Sequence, residues 1–376
     1  MEVKGNNLLS QVNASPKIRF LLGVVICVFI SFLALMLVEQ FVWLKNSGLS
    51  LLTVAILLGI AVGNLPFCPA LSEFSSGIQF VKQRILRTGI ILYGLRLTFQ
   101  DIGHVGFLGA SIDLAICIST FSLAVYFGVK HLKLDKETAI LIGAGSAICG
   151  AAAILATEPV VNAKNEKVAV AIATVVLFGT ISIFSYPFLY QIGHHYFSTI
   201  DFPSQFGIYI GSTIHEVAQV LAAANSVGSN TADIAVIAKM MRVMMLIPFL
   251  LALSVFYNFL DKRKLAISNS DAAGNNLGLS NLGSSIPWFA FLFVMVIALN
   301  SLGLFPRDSI QHLVEIDNFM LATAMAALGL STKLSEIKDA GLKPLFLAFI
   351  LFLWLVFGGA FINVVFTVLS NSLSTN

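Results

Sequence analysis

Charged residues are scarce in this chain. Asp, Glu, Lys and Arg together make up 11% of its 376 residues, whereas hydrophobic residues make up 57%. Soluble globular domains carry about 25% charged residues, so the composition excludes that class. With a mean hydropathy of +0.91, the sequence predicts an all-α polytopic membrane protein, because a helix of about 20 apolar residues crosses the hydrocarbon core of a bilayer.

Cysteines are also few, and they lack the spacing of a disulfide framework or a zinc site. The four stand scattered through apolar segments at Cys27, Cys68, Cys117 and Cys149. No metal and no other cofactor is therefore expected. The net charge of +3 comes from basic residues beside apolar segments, where they attract anionic lipid, so membrane lipid is the expected partner and nucleic acid is not.

Two motifs of enzymes and pumps are missing. The phosphate-binding pattern GxxxxGK[ST] does not occur, so nothing indicates an ATP-driven pump. The pair His215-Glu216 resembles the start of a zinc-protease motif, but Gln219 stands where the second histidine is required. We therefore expect a protein that is not an enzyme and has no catalytic residues.

Long apolar runs predict about eleven membrane segments in one transmembrane domain, residues 1–376. Two of these segments, 139–159 and 205–225, are interrupted by glycine and polar residues and can be re-entrant or fully spanning. Nine are predicted to span the bilayer: 18–44, 49–66, 83–100, 105–130, 167–193, 232–260, 286–304, 316–332 and 344–369.

The placement of lysine and arginine predicts the orientation, because cytoplasmic loops are enriched in both. A cytoplasmic N-terminus, with both interrupted segments re-entrant, puts most of the 22 basic residues inside. If both segments crossed the membrane, Lys164 and Lys167 would change sides, so charge favours the re-entrant alternative slightly. Residues 261–285, rich in Gly, Asn and Ser, are predicted to form a cytoplasmic linker between helices.

The interrupted segments are two copies of one element, which align without a gap at a constant offset along the chain. Paired glycine-interrupted segments point to the binding site of a transporter. The alternative is that their small residues allow close helix packing. The identical positions are Gly145/Gly211, Ser146/Ser212, Ile148/Ile214, Ala152/Ala218, Leu155/Leu221 and Ala156/Ala222.

A second internal similarity relates Thr88–Gly106 to Thr323–Gly341. In the re-entrant topology the first copy runs outward and the second runs inward. This predicts an inverted-repeat transporter, an architecture that supports alternating access.

The interrupted segments supply most of the candidate substrate ligands. Breaks at glycine leave half-helix N-termini that attract anions, and two cations on the following helix add charge, one of them an arginine suited to bidentate oxyanion binding. The predicted substrate-binding residues are Gly145, Ser146, Cys149, Gly150, Gly211, Ser212, Thr213, Lys239 and Arg242.

Ionisable residues in the second segment are candidates for coupling. Histidine ordinarily titrates near neutral pH, which makes His215 a candidate proton carrier, and Glu216 could alternate between a substrate-linked and a cation-paired state. The alternatives are a structural histidine and an internal ion pair between Glu216 and Lys239 or Arg242.

Four motifs carry a family resemblance. The segments 87–98, 143–153, 214–220 and 239–243 (RTGIILYGLRLT, GAGSAICGAAA, IHEVAQV and KMMRV) resemble the YeiH-type family of multi-pass bacterial inner-membrane proteins, a family labelled as sulfate exporters. The resemblance implies a multi-pass transporter of the bacterial inner membrane, related to the bile-acid/arsenite/riboflavin transporter superfamily.

These features lead to one hypothesis and two alternatives. The hypothesis is a secondary transporter that exports a small oxyanion, namely sulfate, sulfite or a sulfonate, by alternating access. The inside-negative membrane potential favours outward movement of an anion. The alternatives are proton- or cation-coupled transport of an organic acid or a cation, and a membrane sensor or scaffold without flux. A homodimer is left open.

Overall fold

The computed structural model describes residues 15–41, 50–65, 73–196, 202–256, 288–303, 306–333, 335 and 340–374, and every regular element in these ranges is a helix. The predicted linker at 261–285 lies outside them. The helices are α1 (Pro16–Gln40), α2 (Leu51–Gly63), α3 (Ser75–Phe80), α4 (Leu86–Tyr93), α5 (Phe99–Val125), α6 (Lys136–Ala147), α7 (Ala151–Val161), α8 (Asn165–Tyr196), α9 (Phe202–Thr213), α10 (Val217–Asn225), α11 (Ser229–Met244), α12 (Trp288–Ser301), α13 (Arg307–Ser331), α14 (Leu342–Leu353) and α15 (Gly359–Ser374).

Several of these helices continue through tighter or wider turns. A π-helical turn at Val81–Ile85 joins α3 to α4, and a 3₁₀ turn at Gly94–Arg96 follows α4. Further π-helical turns extend α5 through Tyr126–His131 and join α14 to α15 at Trp354–Gly358.

Within the described ranges, six helical stretches are long and apolar enough to cross a membrane, and they match six of the nine predicted spans. Two of them exceed single helices of the list: Ser229–Phe256 continues α11 through helical residues 246–256, and Leu342–Ser370 joins α14 to α15. The other three predictions differ. The run 49–66 contains the 13 residues of α2, and the run 286–304 contains the 14 residues of α12. The run 83–100 is divided among α4, its flanking turns and the start of α5. The number of membrane crossings therefore stays a prediction.

The chain divides into two compact units. The first contains Met1–Tyr93 and Phe305–Leu334, and the second contains Gly94–Leu304 and Ser335–Asn376. Both interrupted segments, and the helix α11 that follows them, belong to the second unit.

One close helix crossing occurs in similar form within each unit. In the first, a methyl group on Gly329 would lie 2.4 Å from the carbonyl oxygen of Ile56. In the second, a methyl group on Gly94 would lie 2.9 Å from the carbonyl oxygen of Phe293. Gly94 and Gly329 are aligned with each other in the second internal similarity.

An asparagine contact accompanies each crossing. Asn64 Nδ2 donates to the carbonyl of Thr332 at 2.8 Å, and Asn300 Nδ2 donates to the carbonyl of Leu97 at 2.9 Å. Leu97 and Thr332 are also aligned with each other in the second internal similarity. The two copies thus make matching contacts, while their inverted orientation stays a prediction.

Both interrupted segments are broken at equivalent positions. Residues 148–150 separate α6 from α7, and residues 214–216, the corresponding positions of the second copy, separate α9 from α10. Each half-helix has 9 to 12 residues, too few to cross a bilayer at about 1.5 Å per residue.

The first break turns the chain back on itself. Gly150 has a φ of +73°, a conformation that glycine adopts readily, and its N–H donates to the carbonyl of Gly145 at 2.9 Å. A methyl group on Gly145 would lie 2.8 Å from Ile154 Cδ1, although a straight helix would separate these positions by about 13 Å. This hairpin geometry favours the re-entrant alternative for 139–159.

Candidate functional site

Lys239 connects the two breaks. It lies on α11 with 0% exposure, and its Nζ donates to the carbonyl oxygens of Ile148 at 2.8 Å and Ile214 at 2.6 Å. These two carbonyls occupy equivalent positions in the two copies, so one ammonium group binds the same point of both.

Arg242 extends this arrangement one turn further along α11, also at 0% exposure. Its Nε donates to the carbonyl of Ala147 at 2.8 Å, its Nη2 to that of Ser146 at 2.9 Å, and its Nη1 to that of Ser212. The last turn of a helix leaves carbonyls without intrahelical partners and carries partial negative charge. Lys239 and Arg242 therefore stabilise the C-terminal ends of both α6 and α9.

Both cations keep unused donors. A lysine ammonium has three N–H groups and an arginine guanidinium has five. With two and three hydrogen bonds made, one N–H of Lys239 and two of Arg242 remain without a partner in the described part of the chain. The two cations that cap the broken helices can therefore also bind an anion.

Glu216 occupies the N-terminal end of α7. Its Oε1 accepts from the backbone N–H of Ala151 at 3.3 Å, where a helix N-terminus favours negative charge. A methyl group on Gly150 would lie 2.4 Å from Glu216 Cγ. Among the described residues, no ion pair within 4.0 Å joins Glu216 to Lys239 or Arg242, so in this state the carboxylate is held by the first break instead.

Three buried polar side chains near the breaks have atoms without a hydrogen-bond partner in the described ranges: Ser146 Oγ, His215 Nδ1 and Gln219 Nε2. The orientation of the Gln219 amide follows from its Oε1, which accepts from the N–H of Glu216 at 3.1 Å. Its Nε2 is therefore a donor without a partner among the described residues. Buried polar groups are normally hydrogen-bonded, so this concentration of unsatisfied groups indicates a binding site.

The remaining predicted site residues make internal contacts. A methyl group on Gly211 would lie 2.4 Å from the carbonyl oxygen of Ala235 on α11, which fits the close-packing alternative, as does the contact of Gly145 with Ile154. The hydroxyls of Ser212 and Thr213 both donate to the carbonyl of Tyr209. Cys149 is buried, and its thiol interacts with the backbone N–H of Ala153 in the first turn of α7.

Asp113, which lies in the same compact unit as these groups, was not among the site residues predicted from the sequence. Its carboxylate has 0% exposure and no hydrogen bond to either oxygen from the described residues, and the charges acting on it are those of Arg242 and Lys239. The signal was present, since an acidic residue inside the apolar run 105–130 is costly in a membrane and marks a functional position.

An ion-pair network stands at the other end of α6. Lys167 Nζ lies 2.8 Å from Asp135 Oδ2 and 2.5 Å from Glu137 Oε2. Burial alone would raise the pKa of Asp135, but hydrogen bonds from Lys167 and Thr138 outweigh it and hold this pKa below its ordinary value. The network connects the start of α6 to the start of α8. In the described ranges, no group of three or more His, Cys, Asp or Glu side chains is arranged to hold a metal ion.

Comparison with known proteins identifies the family. A family model described as "Conserved hypothetical protein 698" matches residues 22–348. The UPF0324 membrane protein of Pseudomonas aeruginosa is 50% identical over 321 residues, which cover 85% of this chain and 87% of that protein. This chain belongs to the UPF0324 family.

Other UPF0324 proteins are similar to this chain to the same degree. A membrane protein of Yersinia pestis is 49% identical over 346 residues, 92% of each chain. The inner membrane protein YeiH of Escherichia coli K12 is 50% identical over 320 residues, 85% of this chain and 87% of that one. The YeiH-type resemblance is thereby confirmed, and these names agree with the apolar helices of a membrane protein. No solved structure matches the chain.

Proposed function

We propose that this UPF0324 protein is a secondary transporter, not an enzyme, and that it exports a small oxyanion such as sulfate, sulfite or a sulfonate by alternating access. The substrate binds between the two breaks, against Lys239 and Arg242.

The unsatisfied donors beside these cations carry the proposal. Lys239 and Arg242 offer three spare N–H groups, and Gln219 Nε2 offers another. The Ser146 hydroxyl likewise has no hydrogen-bond partner in the part of the chain that the structure describes. An oxyanion presents several acceptor oxygens, so one ligand of this class can satisfy donors that converge from different helices.

The Glu216 carboxylate and the substrate can exchange places at the N-terminus of α7. Its carboxylate binds the N-terminus of α7, which is a general anion-binding feature. A substrate oxyanion that takes this position displaces Glu216. The carboxylate therefore holds the site in the absence of substrate and competes with the substrate for the same N–H group.

Cation transport on the same fold is less well supported by this geometry. Unwound backbone carbonyls coordinate cations in transporters with broken helices. Here the carbonyls of Ile148 and Ile214 accept from Lys239, and those of Ser146, Ala147 and Ser212 accept from Arg242. A cation entering this site would meet two positive charges.

Flux measurements on the purified protein in liposomes test the function. We expect radiolabelled sulfate, sulfite or a sulfonate to show counterflow. An inside-negative potassium diffusion potential should accelerate efflux, because each charge moved gains about 2.3 kcal/mol per 100 mV. Absence of counterflow for all three anions would overturn the proposal and favour a sensor or scaffold.

Replacing Ser146 with Ala tests the site without disturbing its scaffold, because the hydroxyl makes no hydrogen bond in the described structure. A hydrogen bond to a charged group contributes about 1.5–3 kcal/mol, so we expect the apparent affinity for the anion to fall about tenfold or more, with thermal stability unchanged.

Ser182→Ala is the matched control. This serine is also buried, but its hydroxyl donates within α8 to the carbonyl of Phe178 at 2.8 Å. We expect wild-type affinity for this variant. Equal affinities of Ser146→Ala and Ser182→Ala would remove Ser146 from the substrate site.

A further inference from the structure

Asp113 is a buried carboxylate with no described hydrogen-bond donor. It lies on α5, in a face that continues through Cys117, Thr120 and Ala124 at helical spacing, all of them buried. Neither Oδ1 nor Oδ2 accepts a hydrogen bond from the described residues. Burial of an ionised carboxylate without such bonds is very unfavourable unless nearby charges compensate.

The packing of α5 against α6 places Asp113 beyond the C-terminal end of α6, on the side where the first break lies. Gly128, at the end of the extended α5, lies against Ala139 of α6, because a methyl group on Gly128 would lie 2.7 Å from Ala139 Cβ. Ala124 of α5 lies against Gly143 of α6, because a methyl group on Gly143 would lie 2.8 Å from Ala124 Cβ. The two helices are therefore antiparallel. From Ala124 to Asp113 is about 16 Å of helix, whereas α6 ends about 6 Å beyond Gly143, so Asp113 lies past the end of α6.

The charged groups that act on Asp113 are the two cations of the site, Arg242 first and Lys239 second. Cys117 lies one turn away on α5. Helices packed against α5 also carry Tyr209, whose hydroxyl donates to the carbonyl of Val356 at 2.7 Å. Their other titratable groups stand in the first turns of α6, α11 and α14, at Lys136, Glu137, Asp233 and Lys343.

The stability of the ionised form of Asp113 thus depends on the positive charge of Arg242 and Lys239. These same cations bind the substrate in the proposed function. An oxyanion at their spare N–H groups brings its own negative charge beside the buried carboxylate. Repulsion between the two anions then favours the neutral acid.

We propose that Asp113 takes up one proton from water when an oxyanion binds to Lys239 and Arg242, and releases it when the anion leaves, so that anion and proton move together. This inference rests on the proposed function. It assigns the coupling ion and halves the charge moved with a dianion, from two to one.

Asp113 is better placed for this role than the two residues selected from sequence. Glu216 is partly exposed and receives the N–H of Ala151, so its charge has support that does not come from the cations. His215 is buried, but its protonation would add a third positive charge beside Lys239 and Arg242. Glu216 remains the competing carboxylate in the experiment.

Titration calorimetry of sulfate and sulfite into the purified wild-type protein, in two buffers of different ionisation enthalpy, measures the protons bound with each anion. We expect net uptake of up to one proton for each anion in the wild type and none in Asp113→Asn, which still binds the anion. Glu166→Gln, an exposed carboxylate at the start of α8, is the control and should keep the wild-type value.

Infrared difference spectra of the wild type keep the test decisive if Asp113→Asn does not fold. A protonated carboxyl band should appear on anion binding. Anion binding without proton uptake would overturn this inference and leave the proposed function intact. Uptake that persists in Asp113→Asn but disappears in Glu216→Gln would transfer the role to Glu216. Absence of anion binding would overturn both proposals.

Discussion

Arg242→Met is expected to abolish recovery of folded, monodisperse protein. The substitution leaves the carbonyls of Ser146, Ala147 and Ser212 without their donor. An unsatisfied buried group costs about 1–3 kcal/mol, so three cost about 3–9 kcal/mol, which is comparable to the whole stability of a typical protein, about 5–15 kcal/mol. Asp113 also loses the cation that acts on it most strongly, which adds to the loss.

Size-exclusion chromatography and thermal unfolding in detergent measure this effect. Lys239→Met removes the donor to two carbonyls instead of three and should destabilise less. Arg84→Met is the control, because Arg84 is exposed; it should unfold at the wild-type temperature. If Arg242→Met matched that control and lost only anion binding, Arg242 would be a ligand without a structural role.

Gly150→Ala is expected to reduce anion flux at least tenfold. At φ +73° and ψ −134°, a non-glycine residue is strained by about 1–3 kcal/mol. The added methyl group would also lie 2.4 Å from Glu216 Cγ, so Glu216 must leave the N–H of Ala151. Both the turn between α6 and α7 and the contact between the two breaks are then disturbed.

Counterflow at matched protein levels in liposomes tests this prediction. Gly103→Ala is the control: Gly103 is helical with open space around its Cα, and alanine favours a helix, so flux should be unchanged. Removing the clash by adding Glu216→Ala should recover part of the stability lost in Gly150→Ala. Wild-type flux in Gly150→Ala would mean that the geometry of this break does not matter for transport.

The interrupted segments could be located from the sequence because their residue pattern is local. Glycine and serine among apolar residues, repeated in both copies, indicate where a membrane helix cannot continue, and the breaks at 148–150 and 214–216 fall within both predicted segments. Lys239 and Arg242 were also identifiable, since buried cations in apolar segments require partners.

The partners themselves were not predictable. The acceptors of Lys239 and Arg242 are backbone carbonyls, and these are present at every residue, so no side chain marks them. An ion pair with Glu216 was one of the alternatives, but the N-terminus of α7 offers its carboxylate a competing donor. Only the fold determines which of these contacts forms.

The lengths of the spans could not be predicted accurately, for a different reason. Hydropathy measures apolar content and does not show where a helix stops. The run 49–66 is apolar almost throughout, yet α2 ends at Gly63 and Asn64 donates to the carbonyl of Thr332, which is far away in the sequence. Such tertiary contacts determine helix ends that composition leaves undefined.

The capping of both breaks by α11 has a consequence for biosynthesis. The carbonyls at Ser146–Ile148 and those at Ser212 and Ile214 are all made before the ribosome reaches Lys239 and Arg242, which are their donors. During synthesis, both interrupted segments therefore lack the donors for these carbonyls until α11 has been made. The site matures late and in one step, and a chain that stops before α11 lacks the donors that complete either element.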